Sequence, residues 1–192
     1  MYICGIDEAG RGPLAGPVCA AAVILPEDFP FWLLNDSKKL RAAVRQELKE
    51  LICANASAWG IGWASPVEID KINIHNATLL AMKRAFQAML CTGGENMTPG
   101  NIRAVVDGLF IPDIGIPSEA LVSADSKVPE VMAASILAKT ARDRLMEYFG
   151  IFFPQYGYEK HKGYPTKAHR EAISRCGPSP IQRMSFNVTN VT

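Results

Sequence analysis

The stretch that decides the fold reads Gly5-Ile6-Asp7-Glu8-Ala9-Gly10-Arg11-Gly12-Pro13-Leu14-Ala15-Gly16-Pro17-Val18. An apolar run leads into two adjacent carboxylates, and the glycines and prolines that follow predict a sharp turn of the backbone. The residue pattern predicts one strand over residues 1–7 and a second over residues 18–25. Carboxylate oxygens beside exposed main-chain N–H groups suit a metal ion that faces a phosphate. The alternative is a hairpin with two solvated acids at its tip.

The bulk properties are those of an ordinary globular protein. The chain has 192 residues, of which 48% are hydrophobic and 20% charged, with a formal net charge of +1. Its longest apolar run is far shorter than the roughly 18 residues of a membrane helix, and no secretory signal is visible, so we expect no membrane association. Five scattered cysteines without Cys-x-x-Cys spacing indicate reduced thiols and a cytoplasmic location.

The order of the remaining elements predicts an α/β fold. Further strands are expected at residues 58–64, 102–106 and 121–123, and helices at 37–53, from Ser65, and at 76–91, 129–149 and 166–176. Consecutive early strands favour an antiparallel meander, whereas later strands alternate with helices, so a mixed sheet flanked by helices is predicted. We divide the chain into a catalytic region, residues 1–150, and a small, basic, helical C-terminal appendage, residues 151–192, which together form one compact unit.

Five blocks of the chain, taken in order, resemble the motifs of ribonuclease HII, the type 2 ribonuclease H family. The first is the stretch from Asp7 to Val18. The others are Asp36-Ser37-Lys38-Lys39-Leu40, Ile69-Asp70-Lys71-Ile72-Asn73-Ile74 with Ala77-Thr78, Ala133-Ala134-Ser135-Ile136-Leu137-Ala138-Lys139 with Arg142-Asp143, and His161-Lys162-Gly163-Tyr164-Pro165-Thr166 with His169-Arg170. The resemblance covers nearly the whole chain and implies a ribonuclease H-like fold. Ala124 replaces a usual glycine, and Gln182 and Met184 replace a histidine and an arginine.

Four acids are the candidate catalytic residues: Asp7, Glu8, Asp107 and Asp125. Each follows an apolar run that reads as a strand, and a sheet could gather them at one edge. Hard divalent cations prefer such oxygen ligands. The resemblance implies that these positions bind two divalent metal ions, Mn²⁺ or Mg²⁺, which could clamp the attacking and leaving oxygens of phosphodiester hydrolysis. From the residues alone, Asp107-Gly108 could instead be a turn and Asp125 a helix-start signal.

The resemblance also implies a site for substrate. Gly10-Arg11-Gly12 would read the ribose 2′-OH through main-chain groups, together with Tyr164. The side chains expected to contact phosphates are Ser37, Lys38 and Lys39, at the start of a predicted helix, with Lys139 and Arg142 on the opposite side. His161 and His169 are interpreted as structural or phosphate-facing, because no acid partner can be recognised for them.

The sequence therefore predicts a monomeric endoribonuclease that hydrolyses RNA in RNA–DNA hybrids and cuts 5′ of ribonucleotides embedded in duplex DNA. Its products would carry 3′-OH and 5′-phosphate ends, and its use would be ribonucleotide removal in DNA replication and repair. Two alternatives stay open. One is a metal-dependent DNA nuclease of the same broad fold, and the other is a non-catalytic protein that binds hybrids.

Overall fold

Five strands form one mixed sheet in a computed structural model that describes residues 1–35, 37 and 40–188. The strands are β1 (Tyr2–Ala9), β2 (Val18–Ile24), β3 (Ala58–Ala64), β4 (Ile102–Asp107) and β5 (Ser118–Leu121), and their order in the sheet is β3-β2-β1-β4-β5. β1, β2 and β3 are antiparallel neighbours, whereas β1, β4 and β5 are parallel. The predicted early meander and mixed α/β sheet are thus confirmed.

Helices cover both faces of the sheet. They are α1 (Ala42–Asn55), α2 (Pro66–Thr92), α3 (Pro129–Phe152), α4 (Tyr158–His161) and α5 (Lys167–Cys176). α2 packs on one face, and α1 and α3 pack on the other, which explains why every residue of β2 is buried. A Cβ at Gly62 would lie 2.1 Å from the Ala81 oxygen, so the glycine permits close contact between β3 and α2.

Local sequence signals account for the long helix α2. Ser65 and Glu68 form a capping box, as the sequence predicted, and Pro66 occupies the first helical position. Asn73 then adopts a left-handed conformation with φ of 65°, and its side chain accepts a hydrogen bond from the Asn76 N–H. This kink marks the place where the sequence predicted a separate helix starting at residue 76.

Two predicted elements are wrong in position. The helix expected from Ser37 begins only at Ala42, because Arg41 is extended, with φ of −67° and ψ of 152°. The strand expected at residues 121–123 instead ends at Leu121, since pairing with β4 ends there and Ser123 turns into a left-handed conformation. β1 also extends beyond its predicted end, because it pairs with β2 as far as Ala9.

The C-terminal segment packs against the end of α3. Met146 of α3 joins Ala15, Tyr156, Tyr158 and Ala172 in a small apolar cluster. The division of the chain at residue 150 stays a prediction. All five cysteines are free, and none of the helices within the described ranges is long and apolar enough to cross a bilayer.

Candidate active site

Three of the four candidate acids lie in one cleft at the carboxyl ends of two neighbouring parallel strands. Asp7 and Glu8 belong to β1, and Asp107 is the last residue of β4. Since Ile6 pairs with Val106, the next residue of each strand is an aspartate, and Asp7 and Asp107 lie level with each other. The three acids line a cavity of about 280 Å³. The sheet therefore brings together residues that are a hundred positions apart.

The cleft holds its negative charge at an energetic cost. Burial raises the pKa of Asp7 well above its usual range, and the neighbouring charges of Glu8 and Asp107 raise it further. Burial also raises the pKa of Glu8, although the Arg11 guanidinium, 3.5 Å from the Glu8 carboxylate, opposes this shift. In the described part of the chain, no three Asp, Glu, His or Cys side chains converge closely enough to hold one metal ion as positioned here. The acids share a cleft without meeting at a single point, and their oxygen donors and mutual repulsion fit divalent cations.

Asp125 has a less direct relation to this cleft. It lies in the short 3₁₀ turn Ala124–Ser126 beyond β5 and is only 6% exposed. The Asp107 carboxylate accepts a hydrogen bond of 2.7 Å from the Ala124 N–H, which ties this turn to the end of β4. Ala124 is fully buried, and the left-handed residue of the turn is Ser123. Alanine in place of the family's glycine is therefore compatible with the turn. Asp125 is absent from the described residues that line the cleft.

Two buried guanidinium groups lie beneath the glycine-rich turn at residues 10–17. Arg183 donates to three main-chain oxygens, those of Gly10 (2.6 Å), Arg11 (2.9 Å) and Gly16 (2.8 Å). Arg142 donates to three more, those of Pro17 (3.0 Å), Lys162 (3.1 Å) and Ala15 (3.2 Å). Their residues are 0% and 1% exposed, respectively. Arg142 was expected to face phosphate, but its guanidinium instead supports the protein's own backbone.

Tyr164 faces the same cleft from the C-terminal segment. It is 40% exposed, and its Cε1 atom lies 3.8 Å from the position that a Cβ at Gly12 would take. The Lys139 ammonium lies 5.9 Å from the centre of the Tyr164 ring and donates to the Asp143 carboxylate at 2.8 Å. The glycine-rich turn, the tyrosine and one predicted phosphate-facing lysine are thus neighbours.

Ser37 reaches the cleft without being at a helix start. Its hydroxyl lies 2.9 Å from the hydroxyl of Ser135, and both residues line the cavity with Tyr164. The carbonyl of Ser37 accepts a hydrogen bond from Arg45. Lys38 and Lys39, the other predicted phosphate contacts in this block, lie outside the described residues.

The two histidines of the C-terminal segment hold the loop that carries Tyr164. Their rings are stacked with centroids 4.5 Å apart. The Gly163 N–H donates to Nδ1 of His161, and Nε2 of His161 lies 2.8 Å from the main-chain carbonyl oxygen of Tyr156. Nδ1 of His169 lies 3.0 Å from the main-chain carbonyl oxygen of Tyr164, and burial lowers the pKa of His169. Of the two roles that the sequence left open, these contacts favour the structural one.

Sequence reasoning missed Arg183 as a functional candidate. It is one of several Lys and Arg residues of the C-terminal segment, and it lies between Gln182 and Met184, which depart from the family pattern. Lone arginines are usually exposed, and no local pattern distinguishes one that packs beneath a turn 173 residues away in sequence. Gln182, which replaces the family's histidine, has a structural position: it is buried and forms an isolated antiparallel β-bridge with Ala15.

Comparisons with known proteins agree over almost the whole chain. The family model described as Ribonuclease HII matches residues 4–189. A ribonuclease HII from Treponema denticola is 56% identical over 98% of this chain and the whole of that protein. Among solved structures, the ribonuclease H2 of Pyrococcus horikoshii has a TM-score of 0.78 with 24% identity, covering 98% of this chain and 95% of that one. The structure of a PCNA:RNase HII complex from Archaeoglobus fulgidus has a TM-score of 0.77 with 28% identity, covering 100% and 98%.

Proposed function

Because the chain belongs to the ribonuclease HII family and is a nuclease of the hydrolase class, we propose that it is an endoribonuclease that cuts 5′ of ribonucleotides embedded in duplex DNA. It also hydrolyses RNA in RNA–DNA hybrids, the substrates of ribonucleases H, and leaves 3′-OH and 5′-phosphate ends. The observation that carries this proposal is that one cavity is lined by the three acids Asp7, Glu8 and Asp107, by Gly10-Arg11-Gly12 and by Tyr164.

Ribonucleases H depend on divalent metal ions, and the carboxylates of this cavity are the proposed ligands. In the proposed site, Asp7, Glu8 and Asp107 hold two divalent ions, Mn²⁺ or Mg²⁺, and Asp125 contributes from the turn beside Asp107. When bound, such ions supply positive charge that lowers the pKa of the attacking water and stabilises the leaving oxygen. The raised pKa of Asp7 supports this assignment, because a cluster of buried carboxylates is stabilised when cations neutralise it.

The other residues of the cleft bind and orient the substrate. Gly10-Arg11-Gly12 offers main-chain groups to the ribose 2′-OH, which is the feature that distinguishes RNA from DNA. The adjacent Tyr164 packs against the sugar at the junction between ribonucleotide and deoxyribonucleotide. The groups proposed to contact backbone phosphates are Ser37, Lys38, Lys39 and Lys139. Arg142 was predicted to contact phosphate, and we propose instead that it shapes the turn, because its guanidinium is buried and donates to main-chain oxygens.

A cleavage assay on two matched duplexes tests the proposal. A labelled DNA duplex with a single ribonucleotide is incubated with the protein and Mg²⁺ or Mn²⁺, beside the same duplex made entirely of DNA, and each reaction is repeated with a chelator. We expect metal-dependent cutting 5′ of the ribonucleotide and no cutting of the all-DNA duplex.

Each alternative gives a different result in this assay. Cutting of both duplexes would replace the proposal by a general DNA nuclease. Binding of RNA–DNA hybrid without turnover, with either metal ion, would replace it by a non-catalytic binding protein. Cutting on the 3′ side of the ribonucleotide would overturn the proposed products.

A further inference from the structure

Arg183 links the C-terminal segment to the main chain of the glycine-rich turn. Its guanidinium donates to the carbonyls of Gly10, Arg11 and Gly16 at 2.6–2.9 Å. The segment around it is anchored separately, because the Asp70 carboxylate accepts hydrogen bonds from the N–H groups of Met184 and Ser185. Asp70 therefore fixes the backbone next to Arg183, and the Arg183 side chain in turn fixes the carbonyls of the turn.

The charge of Arg183 is balanced in an unusual way. In the part of the chain that the structure describes, neither Arg183 nor the neighbouring Arg142 forms an ion pair with a carboxylate. Burial, together with the smaller effect of the Arg142 charge, lowers the pKa of Arg183 to about 9. A buried cation is costly unless it is fully hydrogen-bonded, so the main-chain oxygens of the turn provide the compensation. The Phe186 ring, 5.0 Å from the guanidinium carbon, adds a cation–π contact.

The direction of these carbonyls fixes the direction of the neighbouring N–H groups. In a trans peptide the C=O of one residue and the N–H of the next point in opposite directions, and the described residues contain no cis peptide bond. Since the Gly10 and Arg11 oxygens point inward to Arg183, the N–H groups of Arg11 and Gly12 point away from it. Both residues line the cleft.

We propose that Arg183 is a positioning residue for ribonucleotide recognition: by holding the Gly10 and Arg11 carbonyls inward, it presents the Arg11 and Gly12 N–H groups to the 2′-oxygen of the substrate. This inference rests on the proposed function, in which the same turn reads the ribose. It adds that the turn acts as a pair of hydrogen-bond donors and that a residue at the far end of the chain sets their direction.

The test measures discrimination between two duplexes in one assay. The all-DNA duplex serves as a competitive inhibitor of cleavage of the single-ribonucleotide duplex, and the ratio of its inhibition constant to KM reports the preference for a 2′-OH. Arg183→Lys keeps the charge but replaces the separate donors Nε, Nη1 and Nη2 by a single nitrogen, which cannot occupy all three donor positions. We expect it to reduce this ratio about tenfold, as for the loss of a well-placed hydrogen bond, while the inhibition constant of the all-DNA duplex stays unchanged. Partial unfolding would lower kcat without moving the ratio.

Arg175→Lys is the matched control. Arg175 is exposed on α5 and donates to the carbonyl of Gln155, so the same substitution there should leave the ratio at its wild-type value. If Arg183→Lys does not fold, as judged by thermal melting, Asp70→Ala replaces it. This variant removes the anchor of Met184 and Ser185 and should shift the ratio in the same direction by a smaller factor.

The outcomes separate the two proposals. A wild-type protein that shows no preference for the ribonucleotide duplex refutes the proposed function itself. A wild-type protein with normal preference, together with a folded Arg183→Lys that keeps the wild-type ratio, overturns the role of Arg183 alone. An unchanged ratio in folded Asp70→Ala has the same meaning when Arg183→Lys is unfolded.

Discussion

Arg142 occupies the space that a side chain at Gly10 would need. An ideal Cβ on Gly10 would lie 1.9 Å from Nε and 2.3 Å from Cδ of Arg142, and Gly10 itself has a φ of +96°. Both the packing beneath the turn and its backbone conformation therefore require glycine at this position. The requirement comes from the inner side of the turn and does not depend on the substrate that binds outside.

Gly10→Ala should consequently impair both stability and cleavage. Strain at a left-handed position costs about 1–3 kcal/mol, and displacement of the Arg142 guanidinium adds to it. We expect a lower melting temperature and slower cutting of the single-ribonucleotide duplex. Gly94→Ala is the control, because no atom lies within 4 Å of its added Cβ. Equal melting temperatures for the two variants would show that Arg142 can move aside freely.

Asp7→Asn should abolish cleavage while leaving the fold intact. The loss of one carboxylate from the metal-binding set should reduce kcat by about 100-fold or more, with RNA–DNA hybrid affinity measured by anisotropy close to wild type. Full activity would contradict the role assigned to Asp7.

Asp7→Asn also tests how the buried Asp7 carboxylate affects the stability of the fold. Its raised pKa means that the folded wild-type protein binds a proton more tightly than the unfolded chain does, so its stability declines as pH rises through the folded pKa. Measured with a chelator at pH 7, Asp7→Asn should therefore melt at a higher temperature than the wild type. The difference should narrow as the pH is lowered.

Substitutions of Tyr164 separate the contribution of its ring from that of its hydroxyl. Tyr164→Ala should lower kcat/KM on the single-ribonucleotide duplex by about tenfold, since the packing surface for the sugar is lost. Tyr164→Phe keeps the ring and should retain more of the activity. Because Tyr164 is 40% exposed, neither change should alter the melting temperature much.

Tyr148→Ala, at an exposed tyrosine on α3, is the control for the general effect of removing a surface tyrosine. Identical cleavage rates in all variants would show that Tyr164 does not belong to the site.

His169 should make the stability of the protein depend on pH in the mildly acidic range. Burial lowers its pKa, and the stacked His161 ring acts in the same direction. Below pH of about 6.5 the unfolded chain binds a proton that the folded side chain resists, so stability is fully present above this pH and declines as the pH falls.

His169→Asn isolates this effect, because asparagine can still donate to the Tyr164 oxygen but does not titrate. Its melting temperature should fall less between pH 7 and pH 5 than that of the wild type. Parallel curves for the two proteins would assign the pH dependence to other groups.

The fold was largely predictable from the sequence because its main signals are local. Alternating and continuous apolar runs predicted β2 and β3 closely, and a capping box with proline at the first helical position predicted the start of α2. The shift of β5 to Ser118–Leu121 was not predictable, because its limits depend on pairing with β4. Likewise, the start of α1 at Ala42 depends on an extended Arg41 that no local signal marks.

The acids of the site could be predicted because they lie at the ends of strands, whereas the roles of the basic residues depend on their burial and could not be predicted. Asp7, Glu8 and Asp107 meet because parallel strands bring their carboxyl ends to one edge of the sheet. Arg142 and Lys139 look alike in sequence as two basic residues on one helix, yet one lies inside the protein and the other lines the cleft. Only the packing of the turn against α3 separates these two positions.

The hydrogen bonds from Arg183 to Gly10 and Arg11 also bear on when, during synthesis of the chain, the turn can become ordered. The turn is synthesised well before the residue that holds its carbonyls, because Arg183 follows Gly10 by 173 residues. A nascent or truncated chain that stops before this residue can pair β1 with β2, but it lacks the guanidinium that orders the turn between them. If Arg183 has the role proposed above, the ability to tell a ribonucleotide from a deoxyribonucleotide is acquired only after Arg183 has been synthesised and has reached the turn.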